Sequence, residues 1–101
     1  MAVKQYQVVW TKRSQQHINQ AYEYIGKDSP QNALKVVRAI AAAVEKARSN
    51  PEIYSPDKYK KDNDGSYRAF ETHHYRVSYR FTKNIIRVLR IRHTSMEPKP
   101  Y

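Results

Sequence analysis

The sequence predicts an α+β fold in which a helical hairpin packs on one face of a mainly antiparallel sheet of four strands. Three observations lead to it. A short segment rich in β-forming residues opens the chain, two stretches with helical spacing of apolar residues follow, and from Tyr67 onward apolar and polar residues alternate. Alternation is typical of a half-buried strand, whereas 3-4-3-4 spacing is typical of a helix with one buried face. The predicted order is β-α-α-β-β-β, in one domain spanning residues 1–101.

The first strand and the first helix adjoin each other. Residues 6–10 are rich in aromatic and β-branched side chains and predict the first strand. Thr11 can cap the helix that follows, because its hydroxyl oxygen can accept a hydrogen bond from a free backbone N–H. We expect this helix to end at Gly26 and to bury an apolar stripe made of Ile18, Ala21, Tyr22 and Ile25.

The second helix carries the clearest signal. Ser29 supplies an N-cap, and Pro30 takes the first helical position, where its missing N–H costs nothing. Asn50–Pro51 stops the helix. Between them, helical spacing predicts a buried face made of Ala33, Val36, Val37, Ile40, Ala41, Val44 and Ala47. Because the turn between the helices is short, we expect an antiparallel hairpin.

The second half of the chain is predicted to be a loop, three strands and a tail. Residues 51–66 contain two prolines and several lysines and predict a loop. The strands are Tyr67–Thr72, Tyr75–Phe81 and Ile85–Arg92, and Thr82–Asn84 forms a hairpin turn. The tail from Thr94 to Tyr101 is predicted to be extended. The helices should cover one face of the sheet and leave the opposite face open.

The composition restricts the kinds of partner and chemistry. Lysine and arginine total 19 against nine acidic residues, which gives a net charge of +10 at pH 7. This surplus favours an anionic partner such as nucleic acid, a membrane surface or an acidic protein, although charge alone also serves solubility. The chain has no cysteine, which excludes disulfides and cysteine-ligated zinc and suits a reducing cytoplasm. Residues 1–7 lack the apolar core of a signal peptide, so we expect a cytoplasmic protein without a membrane span.

Strand parity predicts an arginine face, which we define as the side of the sheet opposite the helices. If Tyr67, Ala69, Leu89 and Ile91 pack under the helices, the arginines between them point away. The predicted face consists of Arg68, Arg76, Arg80, Arg90 and Arg92, with Lys58, Lys60 and Lys61 at its edge. Guanidinium groups hold phosphate through paired donors. We therefore interpret this face as a nucleic-acid-binding surface, with a merely solvated face as the alternative.

Aromatic and histidine residues add candidates for that surface. Tyr101 in the tail, with Tyr54 and Tyr59 in the loop, can stack on bases. His93 follows Arg90 and Arg92, where it could act as an acid or base on a bound phosphodiester, although a structural role is the commoner one for such a histidine. No residue pattern predicts a metal site or another cofactor.

The order of elements, with Tyr75-Arg76-Val77-Ser78-Tyr79 followed by Ile86 to His93, resembles the RelE/ParE toxin superfamily. This superfamily contains toxins of type II toxin–antitoxin systems, plasmid-stabilisation proteins among them. In its RelE branch, the resemblance implies a metal-independent endoribonuclease that enters the ribosome and cuts mRNA by 2′-hydroxyl attack, with basic residues stabilising the developing charge.

The resemblance carries catalytic roles over only in part. Arg76 matches the phosphate-binding arginine of the YRxxY strand, and Arg68 falls where a catalytic lysine of the preceding strand lies. His93 resembles a histidine that some members use as acid or base. Phe70 and Met96 stand where related chains carry cations, and Tyr101 resembles a C-terminal stacking tyrosine.

The ParE branch shares the fold, lacks the nuclease residues and poisons DNA gyrase. The resemblance therefore leaves three alternatives open: a ribosome-dependent mRNA nuclease, which the sequence favours slightly, a gyrase inhibitor, or an inactive relative that only binds an antitoxin. All three imply a cognate antitoxin whose disordered, acidic segment folds over the toxin.

Overall fold

The computed structural model describes residues 5–96 and 98–101. Residues 1–7 lack the apolar core of a signal peptide, and the first four of them, Met1–Lys4, lie outside the described residues. The elements follow the predicted order. They are β1 (Gln7–Trp10), α1 (Lys12–Gly26), α2 (Pro30–Ala47), β2 (Tyr67–Thr72), β3 (Tyr75–Thr82) and β4 (Ile85–His93). The predicted α+β class is confirmed, and the strand bounds differ from the predicted ones by one residue at most.

The sheet is mixed, with the strand order β1-β4-β3-β2. The strands β2, β3 and β4 form an antiparallel meander, and β1 lies at the edge, parallel to β4. Two-residue turns join the meander strands. His73, His74 and Lys83 in these turns have positive φ angles of 50°, 68° and 49°, because a tight hairpin of this hand needs left-handed residues at its centre.

The helical hairpin packs on one face of the sheet. Thr11 and Ser29 cap the helices as predicted, each accepting a backbone N–H three residues on. The core joins α1 and α2 to the meander through Ala21, Val36, Ile40, Val44, Val77, Tyr79, Ile86, Val88 and Ile91. Tyr22 is 45% exposed and Ala41 is exposed, so these two predicted core positions are wrong.

Two predictions of strand parity are also wrong. Arg68 pairs with Tyr79, which is buried under the helices, so Arg68 lies on the helix side and not on the arginine face. The inward residue of β2 is Phe70, which joins the core. The pairing of β3 with β4 shifts register between Ser78 and Tyr79, because Leu89 is an extra residue of β4 opposite them. A bulge of this kind resets the alternation, and Leu89 therefore lies beside Arg90 on the arginine face.

The arginine face is covered, contrary to the open face that the sequence predicts. The loop and the tail fold over it and pair with each other. The N–H of Lys61 donates to the Tyr101 backbone oxygen at 2.7 Å, and the N–H of Tyr101 donates to the oxygen of Tyr59 at 3.0 Å. Small side chains make room for this cover, since Ala69 and Ser78 are neighbours at the centre of the face and both are buried.

The arginine face as candidate functional site

Arg76 is held by two carboxylates. Its guanidinium donates to Asp57 at 2.9 Å and to Glu71 at 3.1 Å. The Asp57 side chain is 0% exposed, whereas that of Glu71 is 54% exposed. Burial alone would raise the pKa of Asp57, but hydrogen bonds from Tyr101, Arg76 and the Tyr59 amide outweigh it and hold the pKa below its ordinary value. Arg76 is thus part of a neutralised internal network.

Tyr101 also belongs to that network, through a hydrogen bond to Asp57. Its hydroxyl donates to the second Asp57 oxygen at 2.6 Å. Burial and this bond raise the pKa of Tyr101 above its ordinary value. Arg90 stacks on the Tyr101 ring at 4.0 Å and donates to the Lys99 oxygen at 2.8 Å. The predicted stacking tyrosine is therefore a packed residue at the middle of the arginine face.

Cations also lie over the other aromatic rings of this surface. The Arg76 guanidinium lies 4.8 Å from the Tyr59 ring, and Arg80 lies 4.7 Å from that of Tyr67. Lys60 lies over Tyr67 at 4.7 Å and near Tyr101 at 5.4 Å. Cation–π contacts of this kind stabilise the cover on the sheet, and they occupy ring faces on which a base would stack.

The three loop lysines, which the sequence assigns to the edge of the surface, differ in exposure. Lys58 and Lys61 are exposed, and the Lys58 ammonium lies 5.3 Å from the Tyr59 ring. Lys60 is half-buried and donates to the backbone oxygens of Lys61 and Tyr101. Of the three, Lys60 therefore has a structural role in joining loop and tail.

Arg68 is separated from the other predicted catalytic residues. Its Nε donates to the Gly65 oxygen at 2.8 Å, and its Nη1 donates to the Tyr54 oxygen at 3.1 Å. The guanidinium thus ties the loop to β2 on the helix side of the sheet. Of the three residues to which the resemblance gives catalytic roles, Arg68 therefore lies apart from Arg76 and His93.

Arg76 and His93 do meet, at a cavity of about 190 Å³ between the meander and the tail. Arg90, Arg92 and Lys99 also line this cavity, with Glu71 on its wall. The Nδ1 atom of His93 lies 2.7 Å from the Ser95 hydroxyl and accepts the Ser95 N–H at 3.0 Å. This nitrogen is engaged within the tail, which leaves Nε2 as the ring atom for any proton transfer.

A second cavity, of about 350 Å³, lies on the other side of Arg92 and His93, against α1. The strand β1 ends opposite Val88, so the edge of β4 beyond that residue has no neighbouring strand. His17 lies against this edge. Its Nδ1 accepts the N–H of Ile91 at 3.0 Å. Burial and the repulsion of Arg13, Arg92 and Arg90 lower the pKa of His17 below its ordinary value.

Sequence reasoning missed Asp57 and His17. Asp57 follows a proline among lysines in a loop, and no spacing marks such a carboxylate as buried. His17 lies on α1, and no local pattern marks its role, because its bond partner is 74 residues away. No cluster of three metal-ligating side chains occurs in residues 5–96 and 98–101. Within the same part of the chain, no helix is long and apolar enough to cross a membrane.

Comparison with known proteins gives a matching family model and similar solved structures. The family model for the ParE toxin of the type II toxin–antitoxin system parDE matches residues 8–98. A solved structure of the chromosomal ParDE toxin–antitoxin system from P. aeruginosa has a TM-score of 0.68 at 19% identity, over 89% of this chain and 97% of that chain.

A second similar structure comes from the toxin–antitoxin complex RelBE2 of Mycobacterium tuberculosis. Its TM-score is 0.61 at 14% identity, over 91% of this chain and 94% of that chain. At these identities the structures show a shared fold. No curated protein sequence matches the chain significantly.

Proposed function

The chain belongs to the ParE toxin family of type II toxin–antitoxin systems, and on that premise we propose that it inhibits DNA gyrase by binding and does not cut RNA. The observation that carries the proposal is the state of Arg76. The resemblance assigns this arginine to phosphate binding in the nuclease branch, yet here Asp57 and Glu71 hold it in an internal ion pair.

Cleavage of RNA needs cations that are free to meet charge as it develops in the transition state. Arg76 is paired with two carboxylates. The guanidinium of Arg68 donates hydrogen bonds to loop carbonyls on the helix side of the sheet. Phe70, where related nucleases carry a cation, is buried in the core. These contacts support a toxin that acts by binding a protein target.

We also propose a cognate antitoxin as partner, within the cytoplasm. The similar structures are a toxin–antitoxin system and a toxin–antitoxin complex. The net charge of +10 favours an acidic partner segment. A neighbouring small gene should encode a protein that co-purifies with the chain and relieves its toxicity.

A supercoiling assay tests the proposed target. We expect the purified chain to inhibit the supercoiling of relaxed plasmid by gyrase, or to trap cleaved plasmid, and we expect pre-incubation with the antitoxin to remove the effect. Undisturbed supercoiling at an excess of folded chain would contradict the proposal. In cells, DNA replication should stop before protein synthesis. Induction without any growth arrest would indicate an inactive, antitoxin-binding relative.

One observation favours the mRNA nuclease as a second candidate: Arg76, Arg92 and His93 line the same cavity. This candidate predicts codon-positioned cuts in a message translated by purified components, detected by primer extension. The cuts should vanish in His93→Ala and in Arg76→Ala. A message that stays intact with the wild-type chain would remove the candidate, independently of the gyrase result.

A further inference from the structure

Arg92 differs from the other arginines of its surface. It lies directly opposite Arg76 across β3 and β4, and like charges in that position repel each other. Arg76 is compensated by Asp57 and Glu71. Arg92 is half-buried, its Nε is fully buried, and this atom has no hydrogen-bond partner among the described residues. A buried donor of this kind costs stability until an acceptor meets it.

The cavity of about 190 Å³ is lined in part by Arg92. Its wall adds Arg90, His93 and Lys99, so the surroundings are cationic. Among the described residues that line it, Glu71 is the one carboxylate, and it is already paired with Arg76. The arrangement therefore suits an anionic group, which would offset the charge of Arg92.

Size and charge restrict that anion. Pockets for drug-sized ligands begin at about 300 Å³, so this cavity suits a single side chain better than a whole nucleotide. The neighbouring rings of Tyr59 and Tyr101 carry Arg76 and Arg90 over their faces, which disfavours base stacking. The carboxylate of Glu71 would also repel the second charge of a phosphate monoester.

We propose that this cavity binds one carboxylate side chain of an acidic peptide segment, with Arg92 as the residue that receives it. The proposal rests on the proposed function in one respect: it takes that segment to belong to the antitoxin. A planar guanidinium pairs with a carboxylate through two parallel N–H bonds, and the bound group would offset the repulsion between Arg92 and Arg76.

Peptide binding to the purified chain tests the proposal. The probe is a short peptide that alternates Glu and Ser, compared with the same peptide carrying Gln. We expect the Glu peptide to bind more tightly, and Arg92→Gln to weaken its binding about tenfold, the usual cost of losing a charge-assisted pair. Arg87→Gln is the matched control. It removes an exposed arginine from the same face and should change the affinity less than about twofold.

Two further measurements separate a built site from general attraction. Arg92→Lys keeps the charge, so it should bind between wild type and Arg92→Gln if paired geometry matters. Backbone amide shifts on titration should concentrate at Thr94 and Met96, which line the cavity, and they also report whether each variant is folded. Equal losses in Arg92→Gln and Arg87→Gln would overturn the proposal.

A nucleic-acid probe tests whether the cavity binds phosphate instead of a carboxylate. A single-stranded RNA of the same net charge should bind more weakly than the Glu peptide and should be insensitive to Arg92→Gln. If the RNA displaces the peptide and loses affinity in Arg92→Gln, the cavity takes phosphate and our proposal is wrong. None of these measurements uses gyrase, so failure of the peptide site and failure of the gyrase assay are distinguishable.

Discussion

Arg76 and Arg92 are cross-strand neighbours on one face of one sheet, yet their surroundings are opposite. Arg76 has two carboxylates and an aromatic ring, and its side chain is 19% exposed. Arg92 lies beside a cavity and has a buried Nε without a partner among the described residues. The same residue type, placed by the same alternation, is structural at one position and available at the other.

The difference comes from the loop, which supplies the buried Asp57, and from β2, which supplies Glu71. In this loop Asp57 pairs with Arg76, whereas Tyr59 lines the cavity beside Arg92 and brings no carboxylate to it. Charge on a protein surface therefore overstates the charge that a ligand can meet, because part of it is already neutralised inside the fold. Three changes would break or sharpen this contrast.

The largest effect is expected from Asp57→Asn, which removes the charge that makes Arg76 structural. The variant leaves Arg76 and Tyr101 facing an uncharged amide in a buried place. We expect a loss of about 3 kcal/mol in the free energy of unfolding, measured by urea denaturation, because breaking one side of a buried ion pair strands the other.

Glu71→Gln is the matched control for Asp57→Asn. It removes the other, largely exposed partner of the same guanidinium and should cost less than about 1 kcal/mol. Because the pKa of folded Asp57 lies below its ordinary value of 3.8, its contribution is present above that value and is lost as the pH falls through the folded pKa. Similar costs for the two variants would contradict the buried role of Asp57.

A smaller loss of stability is expected from Arg68→Gln, the arginine that strand parity assigned to the wrong face. It removes two hydrogen bonds to loop carbonyls and should cost about 2 kcal/mol. It should leave the affinity for the Glu peptide unchanged. Arg92→Gln, by contrast, should weaken peptide binding without a comparable loss in the free energy of unfolding. An exposed arginine of α2, Arg38, gives the control Arg38→Gln. A loss of peptide binding in Arg68→Gln would mean that the two faces are not independent.

The sequence predicts the fold well because local signals agree with the global arrangement. Thr11 and Ser29 cap helices on chemistry that involves only the next turn. The alternation in β3 decides which residues lie under the helices, and Val77 and Tyr79 are buried as it predicts. Family resemblance and the matching family model agree with this architecture.

The candidate site is less predictable because its contacts are distant in sequence. Alternation in β2 fits either parity, and burial of Phe70 decides it. The bulge at Leu89 shifts β4 by one position, which moves Leu89 outward and leaves Arg90 and Arg92 on the predicted side. The bond between Tyr101 and Asp57 joins residues 44 positions apart, and no local pattern announces it.

The smallest effect concerns the other side of Arg92, where His17 supports the uncovered end of β4. Its Nδ1 accepts the Ile91 N–H only while the imidazole is neutral. The pKa of folded His17 lies below the ordinary 6.5, so the unfolded chain takes up the proton first as the pH falls. The stability that this histidine contributes is therefore complete above pH 6.5 and declines below it, toward the folded pKa.

His17→Gln keeps an acceptor for Ile91 without a titrating group, so its unfolding free energy should fall less than that of wild type between neutral and mildly acidic pH. Parallel curves for the two proteins would show that folding does not lower the pKa of His17, and that the arginines around it impose no cost on its protonation.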